Sequence, residues 1–309
     1  MDVISNIENI PDKPSALLTM GTFDGFHVGH QKVVRRLVEK ARESGLKSIL
    51  VTYAPHPREV ISEMSRNPIT FISTLEERIK LLSESGLDYI VVHPFTKALA
   101  AIEPDAFIRD TVMKYIDVKG FIIGYSHSFG KMRKGTPQYL KELGKNELGF
   151  TTEIIEEVRN EDFTINSTNI RRLIGAGDLE TVSHYLGRPY HLKGKVINGE
   201  KRGKELGFPT LNVLPSSPKK IIPHVGVYCV NIYIQRKNYR GMCNVGYRPT
   251  FDGHYLTIEV HVLDAQLKKL YDHEIDVDFI RRIRDEIRFN SREELIQQLE
   301  KDKFNCKKM

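Results

Sequence analysis

Cysteine is scarce in this chain, at 3 among 309 residues, and no Cys-x-x-Cys pair occurs. Cys229, Cys243 and Cys306 are scattered and odd in number, which argues against a disulfide framework and for a reducing compartment. Long apolar runs are also missing: none approaches the roughly 18 residues of a membrane span, so no membrane partner is expected. The first residues (MDVISNIENIPDK) are acidic and lack the basic, apolar and small-residue order of a signal peptide. A cytoplasmic protein is expected on these grounds. Neither sign of charge is in large excess, because 46 Lys and Arg stand against 40 Asp and Glu, leaving +6. That balance favours anionic small molecules such as nucleotides, and nucleic acid is not an expected partner. There is no internal repeat, no low-complexity segment and no Walker A sequence.

What is present divides the chain in two, as its length suggests. In the first half, short apolar runs alternate with helical periodicity. Ala16–Met20, Ser48–Tyr53, Tyr89–His93 and Gly120–Gly124 read as strands. Gln31–Ser44, Thr74–Ser85, Pro104–Tyr115, Thr136–Leu143 and Ser167–Gly175 read as helices, with Thr74 as an N-cap. This order predicts an α/β domain with a parallel sheet covered on both faces, and a ligand at the carboxyl ends of its strands. From Tyr190 onward, short strands separated by turn signals predict a small antiparallel barrel or sandwich. Ser291–Lys303, carrying Leu295, Ile296 and Leu299, closes the chain as an amphipathic helix with a capping box from Ser291 to Glu294. The boundary is placed near Tyr185–Arg188.

The most informative segment is Gly21–His30 (GTFDGFHVGH). It reads as strand, tight glycine turn and helix start, with His27 and His30 beside the turn. Free N–H groups at such a helix start attract anions, and the glycines let a phosphate approach the backbone. The imidazoles can donate hydrogen bonds to phosphoryl oxygens as charge builds, so nucleotidyl transfer is the expected chemistry. Zinc binding by His27 and His30 is the weaker reading, since no further ligands stand at matching spacing. TYAPHP (Thr52–Pro57) and GYSHSFG (Gly124–Gly130) follow other strands toward the same rim, and NSTNIRR (Asn166–Arg172) puts hydroxyls and guanidinium groups at another helix start. In the second half, GKVINGEKRGKELGFPTLN (Gly194–Asn212) is a glycine- and lysine-rich loop suited to phosphate, with Thr210 and Asn212 as oxygen donors after Pro209. Alternation in Thr257–His261 puts Thr257, Glu259 and His261 on one strand face, where Glu259 can act as a general base.

These motifs, in this order, resemble bacterial bifunctional riboflavin kinase/FAD synthetases. GTFDGFHVGH, TYAPHP, GYSHSFGKMRKG and NSTNIRR resemble the HxGH adenylyltransferase module. GRPYHLKGKV, RGKELGFPTLN, NVGYRPTF, TIEVHVLD and the terminal IRDEIRFNSREELIQQLEKD resemble the riboflavin kinase module. The resemblance implies a Rossmann-like FMN adenylyltransferase domain over 1–185 and a β-barrel riboflavin kinase domain with a terminal helix over 186–309. ATP and Mg²⁺ would serve both reactions, with riboflavin and FMN as the other substrates and FAD as the final product. His27 and His30 would contact ATP phosphates, with Gly21, Phe23, Gly29, Ser167 and Arg171 around the nucleotide. Asp24, His56, Ser126 and Phe129 would hold the flavin. In the kinase, Gly199, Lys204, Thr210 and Asn212 would bind ATP, and Thr210 and Asn212 would also bind Mg²⁺. Glu259 would activate the ribityl 5′-hydroxyl, and Arg284 would lie near the flavin.

This chain departs from the family pattern at Ser126, at Lys204 in place of Arg, and at Leu211 in place of a smaller Ala, where crowding of the nucleotide is expected. Two other readings stay open on the sequence: one live activity only, or a flavin-sensing regulator that binds RNA. The intact pair of phosphate-transfer sets speaks against the regulator. Any self-association is expected to be weak.

Overall fold

The computed structural model of the chain describes residues 1–61, 70–160, 163–198, 206–250, 253–265 and 270–308. They form two compact units, Met1–Ser167 and Thr168–Met309.

In the first unit, six strands form one parallel sheet: β1 (Asp2–Ile4), β2 (Ser15–Met20), β3 (Lys47–Ala54), β4 (Tyr89–Pro94), β5 (Asp117–Gly124) and β6 (Thr151–Ile155). Their order across the sheet is β1-β4-β3-β2-β5-β6. The pattern follows from β2, which is apolar on both faces. Ala16, Leu18 and Met20 enter one core with Phe107, Phe121 and Phe150, whereas Leu17 enters the other. That second core includes Val33, Val34, Leu37 and Ala41 of α1 (Val28–Glu43). From β2 the chain runs to β3 and β4 on one side and later to β5 and β6 on the other. The direction of winding therefore reverses at β2, and the loops after β2 and β5 meet at the switch point where such sheets bind ligands.

Short helices α2 (Pro57–Ile61), α3 (Leu75–Ser83), α4 (Lys97–Ala100), α5 (Pro104–Ala106) and α6 (Pro137–Leu143) join these strands. Thr74 caps α3 as expected, and a complete capping box with Glu77 fixes its first turn. The helix expected over Pro104–Tyr115 is interrupted: after α5 it widens to a π-helix over Phe107–Val112. A small hairpin, β7 (Arg159–Asn160) with β8 (Phe163–Thr164), follows the sheet.

Helix α7 (Ser167–Ala176) starts at the limit of the first unit, and α8 (Leu179–Leu186) follows it. The units part earlier in the chain than 185/186 because these helices pack with the strands that follow. The Ile174 carbonyl accepts from the His224 amide, and Glu180 pairs with Arg281 at 3.2 Å. Those strands form a closed barrel, which decides between barrel and sandwich: β9 (Tyr190–Ile197), β10 (Thr210–Pro215), β11 (Gly226–Ile234), β12 (Lys237–Thr250), β13 (Gly253–Val262) and β14 (Glu274–Arg284). The barrel order is β10-β13-β12-β11-β14-β9.

Helix α9 (Arg292–Lys307) packs Ile296, Leu299 and Cys306 against Phe208, Cys229 and Met242 of the barrel unit. Ser291 caps it by accepting from the Glu294 amide, but Glu294 reaches back to Asn290 rather than to Ser291. A disulfide joins Cys229 to Cys306, which corrects the expectation drawn from scattered cysteines. Cys229 lies on a strand and Cys306 on the last helix, and only the packing of that helix brings them together. Cys243 remains a buried free thiol, pushed up by burial and by the nearby Glu259 carboxylate.

Candidate functional sites in the two units

In the first unit, the turn after β2 delivers two imidazoles to the start of α1. His27 is the N-cap, and its Nδ1 accepts from the His30 amide at 3.4 Å. That acceptor role leaves the ring proton on Nε2. The His27 and His30 rings stack at 3.6 Å between centroids, and Phe23 tilts against His30 at 5.0 Å. Gly29 keeps this stack open, because a Cβ there would lie 3.1 Å from the His27 ring. Burial first, then His27 and the Arg78 guanidinium, hold His30 well below the ordinary histidine range. His30 is therefore neutral at pH 7. Its Nδ1 is buried with no hydrogen-bond partner among the described residues. Imidazole N–H donors at a helix N-terminus can stabilise a developing phosphoryl charge, and a neutral His30 can do so without gaining or losing a proton.

The turn that presents these rings has an unusual backbone. Phe23 and Phe26 lie at φ 49° and 37°, where bulky side chains are rarely found. Gly25 is at φ +81°, and a Cβ there would meet Ile72 at 2.9 Å. A buried polar network holds the turn. Asp24 accepts from the Ile72 amide at 3.2 Å and the Ser73 amide at 2.9 Å, and the Ser73 hydroxyl accepts from the Gly25 amide. Ser167 donates to the Asp24 carbonyl at 2.9 Å. Arg78, on α3, donates from Nη1 to the Thr22 carbonyl at 2.5 Å and from Nη2 to the Tyr53 carbonyl at 3.4 Å.

Several expected residues lie in or near this network. Asp24, expected at the flavin, is fully buried and its carboxylate accepts from the 72–73 segment, anchoring the histidine turn. Phe129, also expected at the flavin, is buried in the core beside Phe107 and supports its loop. Ser126 is exposed on that same loop. His127 stacks on Phe129, its Nε2 is buried without a partner among the described residues, and burial lowers its pKa to about 4. His56, after β3, accepts from the Arg58 amide at 3.1 Å and stacks on Phe71. Gly21 ends β2 by donating its amide to the Val51 carbonyl. Arg171 lies on α7, in the second unit. Sequence reading missed Arg78 and Ser73. A single Arg in a short amphipathic helix carries no signal that it will be buried.

In the second unit, register does the assembly. Asn212 of β10 pairs with Glu259 of β13, which pairs in turn with Asn244 of β12. Side chains directly opposite one another share a face, so these three polar groups form one row. Thr210 donates its hydroxyl to Glu259 at 3.2 Å. Ile258 and Val260 are buried on the alternate face, as the sequence pattern predicts. Leu211 pairs with Val260 and so belongs to that buried face. His261 is bonded to the Pro209 carbonyl at 2.8 Å, and burial lowers its pKa. Arg284 gives its guanidinium to Asp302 of α9 at 2.7 and 2.9 Å, and Gln298 donates to the other Asp302 oxygen. Arg284, expected near the flavin, thus ties the barrel to the last helix. Gly199 and Lys204 lie outside the described residues. Among the described residues, no three His, Cys, Asp or Glu side chains gather as a metal-binding group.

Comparison with known proteins adds identity to this geometry. A family model described as FAD synthetase matches residues 9–169, and one described as riboflavin kinase matches residues 186–309. A bifunctional riboflavin kinase/FMN adenylyltransferase of Listeria monocytogenes is 35% identical over 93% of this chain and 90% of its own length. The Bacillus subtilis protein of the same description is 35% identical over 94% of this chain and 92% of its own length. That of Escherichia coli K12 is 32% identical over 99% of this chain and 97% of its own. A crystal structure from Streptococcus pneumoniae, described as a macrolide-efflux protein, superposes with a TM-score of 0.88 at 29% identity. It covers 100% of this chain and 99% of that one. Its description differs from the family matches, and no helix among the described residues here is long and apolar enough to cross a membrane.

Proposed function

The chain belongs to the bifunctional riboflavin kinase/FMN adenylyltransferase family, and we propose that His27 and His30 carry its adenylyl transfer and Glu259 its phosphorylation of riboflavin. It converts riboflavin and ATP to FMN, and FMN and a second ATP to FAD and pyrophosphate. The functional boundary of the two activities is placed at 185/186, so that the adenylyltransferase spans 1–185 and the kinase 186–309.

For FAD formation, an FMN phosphate oxygen attacks the α-phosphorus of ATP in line, and the bond to pyrophosphate breaks. No protein nucleophile is needed. His27 and His30 donate to the phosphoryl oxygens as their charge grows, with Gly21, Phe23 and Gly29 shaping the turn and Ser167 and Arg171 serving the pyrophosphate end. His56 and the loop bearing Ser126 border the flavin. The observation that carries this assignment is the stacked histidine pair at the N-terminus of α1, 3.6 Å apart, with His30 held neutral by burial.

For FMN formation, Glu259 takes the proton of the ribityl 5′-hydroxyl as that oxygen attacks the γ-phosphorus of ATP, and ADP leaves. Thr210 and Asn212 suit Mg²⁺, since a hydroxyl and an amide oxygen beside a carboxylate are the hard donors it prefers. Bound there, the cation would neutralise charge on the transferring phosphate. Both reactions consume ATP, which favours a cytoplasmic setting, although the Cys229–Cys306 bond pulls the other way.

The test is a product assay on the purified chain with ATP and Mg²⁺, started once from riboflavin and once from FMN. FMN followed by FAD in the first, and FAD in the second, is the expected result. FAD from FMN with nothing from riboflavin would mean a silent kinase. No product from either would overturn the reading and make RNA the next ligand to test.

A further inference from the structure

We propose that Arg78 is a positioning residue for adenylyl transfer, locking the turn after β2 to the C-terminal end of β3 through the Thr22 and Tyr53 carbonyls. The inference rests on the reading of His27 and His30 given above. Four observations support it, and Arg78 itself lies in no sequence motif.

Arg78 is 4% exposed, so its charge was taken out of water for a reason other than surface solubility. Its two terminal nitrogens reach two different segments, the turn after β2 and the end of β3. Nη1 meets the carbonyl of Thr22, inside the histidine turn, and Nη2 meets the carbonyl of Tyr53, where the chain leaves β3 toward His56. The Thr22 carbonyl also accepts from Thr52 on β3 at 3.4 Å, so β3 and α3 both hold the turn through one oxygen. The acceptors are backbone groups, which fixes chain position rather than a side-chain rotamer. A guanidinium fork can hold two divergent carbonyls at once, whereas an ammonium is a point charge.

The third observation is the surrounding strain. Phe23 and Phe26 keep left-handed backbone conformations only while the fold over-determines them. Asp24 holds this turn from the 72–73 side, and Arg78 holds it from α3. Segment 72–73 leads directly through the Thr74 cap into α3, so both anchors move as one piece. The fourth is electrostatic. The charges acting on His30 come from His27 at the start of its own helix and from Arg78 on α3, while Asp24 and Glu59 act on Arg78. The Arg78 charge therefore favours a neutral His30.

The experiment uses R78M and R78K in the full chain. FAD formation from FMN and FMN formation from riboflavin are measured on the same preparations, and the histidine ring signals are titrated by NMR. In R78M, FAD formation is expected to fall about a hundredfold, FMN formation to stay within about twofold, and the His30 titration to move to higher pH. R78K, which keeps the charge and one of the two bonds, is expected to recover about tenfold of the loss and return the titration toward its original position. FAD formation within threefold of the parent in R78M, as a rough threshold, would overturn the inference. So would a loss that R78K does not rescue, or one that tracks a fall in melting temperature while the His30 titration stays put. H30A separates the premise from the inference. If H30A retains FAD formation, the histidine reading fails. If H30A stops it and R78M does not, only the role of Arg78 fails.

Discussion

The two units place reactive groups on different kinds of backbone. In the first, His27 and His30 hang from a turn whose conformation is unfavourable on its own, and a buried network of Asp24, Ser73 and Arg78 holds it. In the second, Glu259, Asn212 and Asn244 stand in a row on adjacent strands, and the barrel ladder that sets their spacing would exist without them. The difference teaches where function and stability are coupled. A site on a held turn depends on buried polar anchors, so losing an anchor costs both fold and chemistry. A site on a strand face inherits its geometry from register, so losing a reactive group costs chemistry alone.

The sharpest way to break that comparison is Glu259→Ala. FMN formation should fall by about 10²–10⁴-fold, the usual range for a general base, with FAD formation from supplied FMN and the melting temperature unchanged. Equal loss of both activities would show that the sites are not independent. Next, His30→Ala should lower FAD formation by about 10²–10³-fold and leave FMN formation intact. A variant that still makes FAD at the parental rate would remove the phosphate role.

Stability variants sharpen the contrast further. Asp302→Asn breaks a buried pair with Arg284 and should destabilise the second unit by about 3–5 kcal/mol in denaturant unfolding. Asp24→Asn weakens the acceptor for two buried amides and should cost about 2–3 kcal/mol in the first unit. Only Asp24→Asn, as an anchor of the turn, should reduce FAD formation in the fraction that remains folded.

The smallest effect is a pH dependence at His127. Its pKa is about 4 in the folded chain and 6.5 in its ordinary state. Above pH 6.5 both states are neutral there, and the full stability is present. Below 6.5 the unfolded chain takes up a proton that the folded chain refuses, so stability falls until the pH passes the folded value near 4. The loss should reach about 2 kcal/mol by pH 5. His127→Phe should flatten that part of the acid-unfolding curve, and an unchanged curve would mean that another group controls it.

Local pattern was enough for some of this. Alternation across Thr257–His261 predicts that Glu259 faces away from buried Ile258 and Val260, because side chains on a strand repeat every second residue. The same rule puts Leu211 on the face opposite Thr210 and Asn212, since it lies between them. Thr74 announces α3 for a similar reason, as a cap acts within four residues. The parallel sheet was legible in its continuous apolar strands, but β1 and β6 were not. Each is short and mostly exposed or half-buried, and becomes a strand only by adding to an edge at Tyr89–Val91 or Gly120–Gly124.

By itself, then, the sequence determined the two architectures, the histidine turn at a helix start and the carboxylate on a strand face, because each depends on interactions within a few residues. Only the tertiary structure decided that Asp24 and Arg284 are anchors, that Cys229 meets Cys306, and that Arg78 joins the turn after β2 to the end of β3. Those partners are separated along the chain by entire elements. Burial converts each from a freely hydrated group into one that must find a specific partner, and no local spacing records which partner the packing supplies.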